Sequence, residues 1–379
     1  MPAGQDLPVE ERALCLAART DLDGEASAGL ERLLGTGLDL ERLWSLALLH
    51  EVAPLVGRNV VANGAQAVPE AWRDRAVRKR HITLRANGHL AATLDDVLDA
   101  FELAGIAAMP VKGLMLAESL YGDIAARPCA DLDVLVRPED LEPAREALRS
   151  IGFGQRSTPG YKAVVHPFHD PAWGRGSGAD HVRLELHWAL WADSERRLGT
   201  AGLWDRSVET TVAGRTVRTL SIEDALLHLA IHRTRSALRL RWVVDVAELV
   251  RRHAGTLDWE AFLDRADRAR ARTASWMVLS LARDLLDAAP PEVVMRRLEV
   301  ASPKRSILER TCGATALFRP EVEGNVAQQP HLPLRAFEED GVRRIGALLW
   351  RSALRPLREA LHDAGIVRAR PVAPKARSA

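Results

Sequence analysis

Two aspartates interrupt a short apolar run near the middle of the chain. Asp131 and Asp133 stand two residues apart within "RPCADLDVLVRPED" (127–140). Residues i and i+2 of a β-strand point to the same face, roughly 6–7 Å apart, so both carboxylates can converge on one point. Because burying an unpaired charge is costly, the pair needs a cation, a partner base or a wet cleft.

A third carboxylate follows on a second predicted strand. The segment "HVRLELHWAL" (181–190) alternates, which directs Glu185 and His187 to its polar face. If this strand lies beside the first, Asp131, Asp133 and Glu185 share one cleft. Three such acids suit hard divalent cations, chiefly Mg²⁺, with Mn²⁺ as the second possibility. We therefore predict a metal site made of the three acids, with His187 supporting one of the carboxylates.

The metal interpretation has a structural alternative. Asp131 and Asp133 can instead form ion pairs with Arg127 and Arg137 near the ends of the strand. Under the metal interpretation, two ions can activate an attacking hydroxyl and stabilise a leaving pyrophosphate. The third acid on a separate strand favours the metal site.

Two basic residues lie close to the acids in sequence. Lys112 and Gly113, within "MPVKGLMLAE" (109–118), stand where a predicted strand meets a helix. Gly lets the backbone approach a ligand, the helix start offers free N–H groups to a phosphate, and Lys112 can add a mobile charge. The alternative is a solvated Lys beside a helix start. Arg127 can either clamp a phosphate or pair with a carboxylate.

Polar residues also interrupt the predicted helices that follow. His228 and His232 have the i, i+4 spacing of metal ligands, but the residues between them are Leu-Ala-Ile and supply no HExxH motif. We therefore expect packing or a contact with the cleft, not zinc. Asp245 falls within an apolar helical run and needs a partner, for which Arg241 and the two histidines are candidates.

Periodicity divides the chain into four parts. Helical spacing dominates an N-terminal region (1–103), strands alternate with helices in a core (104–220), and helical spacing returns in a C-terminal domain (221–365). Residues 366–379 are a Pro- and Arg-bearing segment that predicts a disordered tail. The expected fold class is α+β with an α/β core, in which a small mixed sheet lies between helical regions.

Local signals within the core are more specific. Short apolar or alternating runs predict strands at 106–111, 131–136 and 181–190, one possible strand at 161–166, and a hairpin that turns at Ala213-Gly214. "GRGSG" (174–178) is interpreted as a flexible loop. Gly105 and Gly152 are placed to end helices, and Ser221 with Asp224 resembles a capping box.

Composition and charge narrow the classes of function. The formal net charge of the 379 residues is +1, which argues against a large nucleic-acid footprint. The three cysteines (Cys15, Cys129 and Cys312) form no CxxC motif, the chain does not open with an apolar signal segment, and no apolar stretch is long enough to span a bilayer. We therefore expect a cytoplasmic protein with no membrane partner.

The motifs together resemble a known family. "VKGLMLAESLYGDIAARPCADLDVLV", "LELHW", "LLHLAIH" and "RWVVDVAEL" are similar, in this order, to the uncharacterised nucleotidyltransferase family of the DNA polymerase β superfamily. The resemblance spans roughly residues 85–250. It implies a small mixed sheet flanked by helices, with Asp131 and Asp133 as metal ligands and Glu185 as the third carboxylate.

The resemblance also implies a reaction. A nucleoside monophosphate would pass from an NTP to a hydroxyl of an acceptor, which is a small molecule, a peptide or protein, or an RNA end. Glu185 would accept the proton, and Lys112 and Arg127 would neutralise the triphosphate. Lys112-Gly113 stands in place of the superfamily's usual Gly-Ser phosphate loop, with Leu114 where Ser is expected. This departure favours the alternative of an inactive nucleotide-binding or interaction protein.

Overall fold

The fold is seen in a computed structural model, which describes residues 7–64, 67–155, 170, 172–190, 200–233 and 239–318. Two predictions fall on other residues. The possible strand at 161–166 and the disordered tail at 366–379 lie outside the described ranges.

Five helices precede the sheet. They are α1 (Val9–Ala17), α2 (Gly24–Leu34), α3 (Leu40–Leu49), α4 (Ala53–Asn63) and α5 (Glu70–Leu103). Helix α5 has 34 residues, which makes it about 50 Å long. It ends as predicted: Gly105 has a φ of +69°, and the Ile106 N–H donates to the Phe101 carbonyl at 2.8 Å.

A five-stranded mixed sheet forms the centre of the predicted core. Its strands are β1 (Ala108–Val111), β2 (Leu132–Val136), β3 (Gly154–Gln155), β4 (Trp173–Arg175) and β5 (Val182–His187), in the order β1-β2-β5-β4-β3. Strands β2 and β5 are parallel, and the other neighbours are antiparallel. The expected α+β class and the mixed sheet are confirmed.

The helices between these strands also match the periodicity. Helix α6 (Gly113–Ser119) follows β1, and a 3₁₀ turn at Pro138–Asp140 leads from β2 into α7 (Leu141–Ser150). Gly152, with a φ of +87°, follows the end of α7 as predicted.

The loop predicted at 174–178 is wrong in part. Gly174 and Arg175 belong to β4, which pairs with β5 along its length. Trp173 explains the difference, because its side chain is 1% exposed and fixes this short segment against the core. A three-residue strand with a glycine at its centre carries too few side chains for alternation to be recognised.

The predicted hairpin follows the sheet. After α8 (Thr200–Asp205), strands β6 (Val208–Val212) and β7 (Arg215–Thr219) pair antiparallel. Ala213 and Gly214 both have positive φ angles, 52° and 84°, as a two-residue type I′ turn requires.

Helices make up the described part of the C-terminal region. They are α9 (Ile222–Arg233), α10 (Leu240–Arg252), α11 (Trp259–Arg268), α12 (Arg272–Leu286), α13 (Glu292–Leu298), α14 (Ser302–Cys312) and α15 (Ala314–Leu317). At the start of α9, the Asp224 N–H donates to Ser221 Oγ at 3.3 Å, so the predicted cap is confirmed. Among the described helices, none combines the length and apolar character needed to cross a bilayer.

Two hydrophobic cores cover the sheet. The first, which we call the helical core, joins α1–α4 and the C-terminal helices to Met109, Val111 and Leu135. The second, the sheet core, joins the C-terminal half of α5 and helix α7 to residues such as Val134 and Leu184. Because side chains alternate along a strand, Asp133 shares the face of Leu135 and therefore lies on the side of the helical core.

The two helical regions thus share one core, although they are far apart in sequence. The division of the chain at 103/104 and 220/221 stays a prediction.

Candidate functional site

Asp133 is the centre of the candidate site. In the sheet register it lies opposite Val111 of β1 and Glu185 of β5. Its Oδ1 is 2.9 Å from Lys112 Nζ and 2.8 Å from His187 Nε2. Burial by itself would raise the pKa of Asp133, but the charge of Lys112 and the hydrogen bond from His187 hold that pKa far below its usual range.

Three donor groups converge at this point. One ligand atom each from Asp133, Glu185 and His187 lies within 4.8 Å of the other two, and His187 Nε2 is 3.6 Å from Glu185 Oε2. The geometry follows from the fold, because Glu185 and His187 are i and i+2 on β5 and Asp133 is on the parallel neighbour. Within the described ranges, this is the one group of His, Cys, Asp and Glu side chains that converges in this way.

The predicted triad therefore differs in one member. His187, expected to support a carboxylate, supplies the third converging donor, and Asp131 lies immediately before β2. Burial, followed by the negative charges of Asp133 and Glu185, raises the pKa of Asp131 to about 6. Asp131 thus belongs to the same electrostatic cluster without being one of the three converging donors.

The donor set is suited to a divalent cation. Two carboxylates and an imidazole are all recognised metal ligands, and Asp133 and His187 are buried while Glu185 is partly exposed. Two cations already pair with the acids: Lys112 with Asp133, and Arg183 with Glu185. A metal bound here would compete with these side chains for carboxylate oxygens.

The Lys112-Gly113 step has an unusual backbone. It joins β1 to α6, as predicted, and Lys112 has a φ of +56° with a ψ of −143°. A residue with a Cβ adopts this region at a cost of about 1–3 kcal/mol, so the surroundings hold Lys112 in place. Gly113 also has a positive φ, +33°, and a Cβ there would lie 3.4 Å from the Asp131 carbonyl oxygen.

Leu114, where a Ser was expected, is 4% exposed and belongs to the sheet core. In this chain the position after Gly113 therefore contributes to packing.

Arg127 is fully engaged with a carboxylate outside the triad. Its Nε and Nη2 donate to the two oxygens of Asp245, each at 2.8 Å, and Tyr121 Oη donates to Asp245 Oδ1 at 2.7 Å. Burial opposes the charge of Arg127, but Asp245 outweighs it and raises the pKa of Arg127 well above its usual value. Of the two alternatives, the geometry favours carboxylate pairing over a phosphate clamp.

Arg241, one of the partners expected for Asp245, pairs elsewhere. Arg241 pairs with Glu51 at 3.0 Å and donates to the Pro128 carbonyl at 3.0 Å. The actual partner, Arg127, is 118 residues away in sequence, a distance over which helical spacing carries no information. The apolar run around Asp245 was the available signal that a buried partner exists.

The two histidines of α9 pack beside the cleft. His228 is buried, and burial followed by the nearby positive charge of Lys112 puts its pKa well below the usual value. Its ring stacks on His232 at 5.7 Å between centroids, and His232 meets Trp242 edge-on at 4.8 Å. These ring contacts agree with the expectation of packing for both histidines.

One positioning residue gave no recognisable signal in the sequence. Asn87, on α5, is fully buried. Its Nδ2 donates to the Arg127 carbonyl at 2.8 Å, and its Oδ1 accepts from the Cys129 N–H at 3.2 Å. Both bonds fix the loop that leads into Asp131.

Comparisons with known proteins identify the family of the chain. The family model described as an uncharacterised nucleotidyltransferase matches residues 36–287, which extends beyond the resemblance predicted for roughly 85–250. Searches of curated proteins and of solved structures found no match. Because the family match covers well over half of the chain, this protein belongs to the uncharacterised nucleotidyltransferase family.

Proposed function

We propose that the protein transfers a nucleoside monophosphate from an NTP to a hydroxyl of an acceptor and releases pyrophosphate. The observation that carries this proposal is the convergence of Asp133, Glu185 and His187 beside Lys112, in a chain of a nucleotidyltransferase family. Phosphoryl displacement depends mainly on positioning and charge stabilisation, and carboxylates beside a cation support both.

Asp133, Glu185 and His187 would hold a divalent cation, with Asp131 as a further ligand. When bound, the ion neutralises charge on the triphosphate and makes an attacking hydroxyl more acidic. Carboxylates suit Mg²⁺ and Mn²⁺, while imidazole suits transition metals, so the mixed donor set favours Mn²⁺. Two Mg²⁺ ions, the arrangement predicted from three carboxylates, remain the alternative.

The side chains around the cation would place the reacting groups. Lys112 would contact the β- or γ-phosphate, next to the backbone of Gly113. A bond forms between the acceptor oxygen and the α-phosphorus as the bond to the β-phosphate oxygen breaks. Glu185, as predicted, or Asp131 would take the acceptor's proton, whichever carboxylate is not bound to the ion.

Transfer of radioactivity from α-³²P-labelled NTPs tests the proposal. The purified protein, with Mn²⁺ or Mg²⁺, would be incubated with small-molecule, peptide and RNA fractions of a cell lysate. We expect a labelled product and pyrophosphate with the wild type, and neither with Asp131→Ala. Glu139→Ala removes an exposed acid eight residues away and serves as the matched control. Equal labelling by wild type and Asp131→Ala would contradict the proposal.

A second candidate is nucleotide binding without turnover. It is favoured by Leu114, whose burial in the sheet core replaces the expected hydroxyl, and by the ion pair that occupies Asp133. Tight binding of Mn²⁺ and NTP by the wild type, with no pyrophosphate released in any acceptor fraction, would support it.

A further inference from the structure

Lys112 and a bound metal ion would need the same carboxylate oxygen. Lys112 Nζ lies 2.9 Å from Asp133 Oδ1, the side of the carboxylate that also contacts His187. The Lys side chain is 9% exposed and the Asp side chain 6%, so water screens this pair weakly. Each cation therefore opposes the binding of the other at Asp133.

The contact made by Lys112 is one that can be exchanged. An ammonium is a point charge on a flexible stem of four carbons, and here it makes one contact with Asp133. His187 is fixed differently, because its ring is carried by β5 in register with β2. When a metal binds Asp133, Lys112 is thus the partner free to move.

The backbone keeps Lys112 close to the cleft after such a move. Lys112 has a positive φ and lies at the junction between β1 and α6, next to Gly113. The carbonyl of Gly113 accepts a hydrogen bond from Arg127 Nη1 at 3.3 Å, which ties this junction to the buried pair with Asp245. A displaced ammonium therefore remains within reach of a phosphate bound beside the carboxylates.

We infer that Lys112 is an exchangeable counter-ion, which neutralises Asp133 until a metal ion displaces it and then pairs with the triphosphate. This inference rests on the proposed function, because it takes an NTP as the ligand. It does not require that the protein convert the NTP to product. Its consequence is positive coupling between metal and nucleotide. The metal releases Lys112 to the nucleotide, and by reciprocity the nucleotide favours the metal.

Binding of Mn²⁺, followed by electron paramagnetic resonance of the free ion, tests the exchange. The wild type and Lys112→Met would be titrated with and without an α,β-methylene NTP, whose bridging carbon prevents transfer. Without nucleotide, we expect Lys112→Met to bind Mn²⁺ about tenfold more tightly than the wild type, because the competitor is gone. We also expect the nucleotide to increase Mn²⁺ affinity about tenfold less in the variant than in the wild type.

Lys79→Met is the matched control, because it removes the same charge from α5, and it should leave both quantities unchanged. Thermal unfolding would verify that both variants are folded. Unchanged or weaker Mn²⁺ affinity in Lys112→Met without nucleotide would overturn the inference, and so would undiminished coupling.

The outcomes separate the inference from the proposed function. Coupled binding without transfer contradicts the proposed function alone. Transfer by the wild type, with no gain in Mn²⁺ affinity in Lys112→Met, contradicts the exchange alone. Absence of Mn²⁺ binding in both proteins would overturn the metal site, and the inference with it.

Discussion

Two buried cation–carboxylate pairs are built in different ways. The cation of one pair, Lys112, directly precedes helix α6, and the cation of the other, Arg127, follows that helix. Arg127 donates to both oxygens of Asp245, and Tyr121 adds a further hydrogen bond. Lys112 Nζ contacts Asp133 Oδ1, the oxygen that His187 also contacts. A planar guanidinium fixes the geometry of its partner, whereas an ammonium supplies charge that another cation can replace.

The difference suggests separate tasks for the two pairs. The pair of Arg127 and Asp245 holds the loop before β2 against α10. The pair of Lys112 and Asp133 would, by our proposal, keep the metal site neutral until an ion binds. The first should therefore affect stability and the second ligand binding. Four measurements can break or sharpen this comparison.

Loss of the carboxylate in the cleft should have the largest effect. We expect Asp133→Asn to reduce nucleotidyl transfer about a thousandfold, because it would remove a charged ligand of the proposed metal ion at the reacting centre. Labelling by α-³²P NTPs measures the rate, and Glu139→Gln, on the exposed turn after β2, is the control. A loss of less than tenfold would show that Asp133 is not at the centre of the chemistry.

Breaking the pair at α10 should mainly destabilise the fold. We expect Arg127→Met to lower the free energy of unfolding by about 3–5 kcal/mol, because it leaves the Asp245 carboxylate buried without its cation. Urea denaturation measures this change. Arg75→Met, which breaks an ion pair with the exposed Glu41, should leave the free energy of unfolding close to that of the wild type.

A double variant keeps this test informative if Arg127→Met does not fold. Arg127→Met combined with Asp245→Leu removes both charges and should recover most of the lost stability. A double variant as unstable as Arg127→Met would contradict the assignment of that cost to an unpaired carboxylate.

Asp131 should make the stability of the fold depend on pH. Burial and neighbouring carboxylates raise the pKa of Asp131 from 3.8 to about 6, so the folded protein favours the neutral form. Its contribution to stability is complete below about pH 4 and is lost as the pH rises through 6. With a chelator present, we expect the free energy of unfolding of Asp131→Asn, relative to that of the wild type, to rise by about 3 kcal/mol between pH 4 and pH 8. An equal pH profile for the two proteins would refute this assignment.

Removal of the exchangeable cation should have the smallest effect on stability. We expect Lys112→Met, with a chelator present, to lower the free energy of unfolding by about 1–2 kcal/mol, because His187 still donates to Asp133. Urea denaturation under the conditions used for Arg127→Met provides the comparison. Equal losses in the two variants would remove the distinction between a fixed and an exchangeable pair.

The elements with clear periodicity could be predicted from the sequence. Alternation in β5 predicted that Glu185 and His187 lie on one face of that strand. Asp133 joins them if β2 lies beside β5, as we assumed from the sequence and as the structure shows. Helix ends at Gly105 and Gly152 followed from the need for a positive φ. These features depend on neighbours in the sequence, which is why they could be seen.

The features that depend on long-range contacts could not be predicted. Arg127 and Asp245 were each recognised as needing a partner, but residue types do not say which buried carboxylate a guanidinium meets. His187 replaced Asp131 as a converging donor: its Nε2 lies 2.8 Å from Asp133 Oδ1, whereas Asp131 lies just before the start of β2. Strand β4 depends on the burial of Trp173, which three residues of local pattern do not reveal.

The hydrogen bond from Arg127 to the Gly113 carbonyl has a consequence for dividing the chain into fragments. Asp245 of α10 holds Arg127, and Arg127 in turn holds the carbonyl of Gly113. The Lys112-Gly113 step therefore depends on a residue beyond 220, the predicted end of the core. A fragment ending there would leave the Arg127 guanidinium without the carboxylate that holds it. The smallest piece able to carry this site therefore extends through α10, and transplanting the sheet alone would transfer its carboxylates without their support.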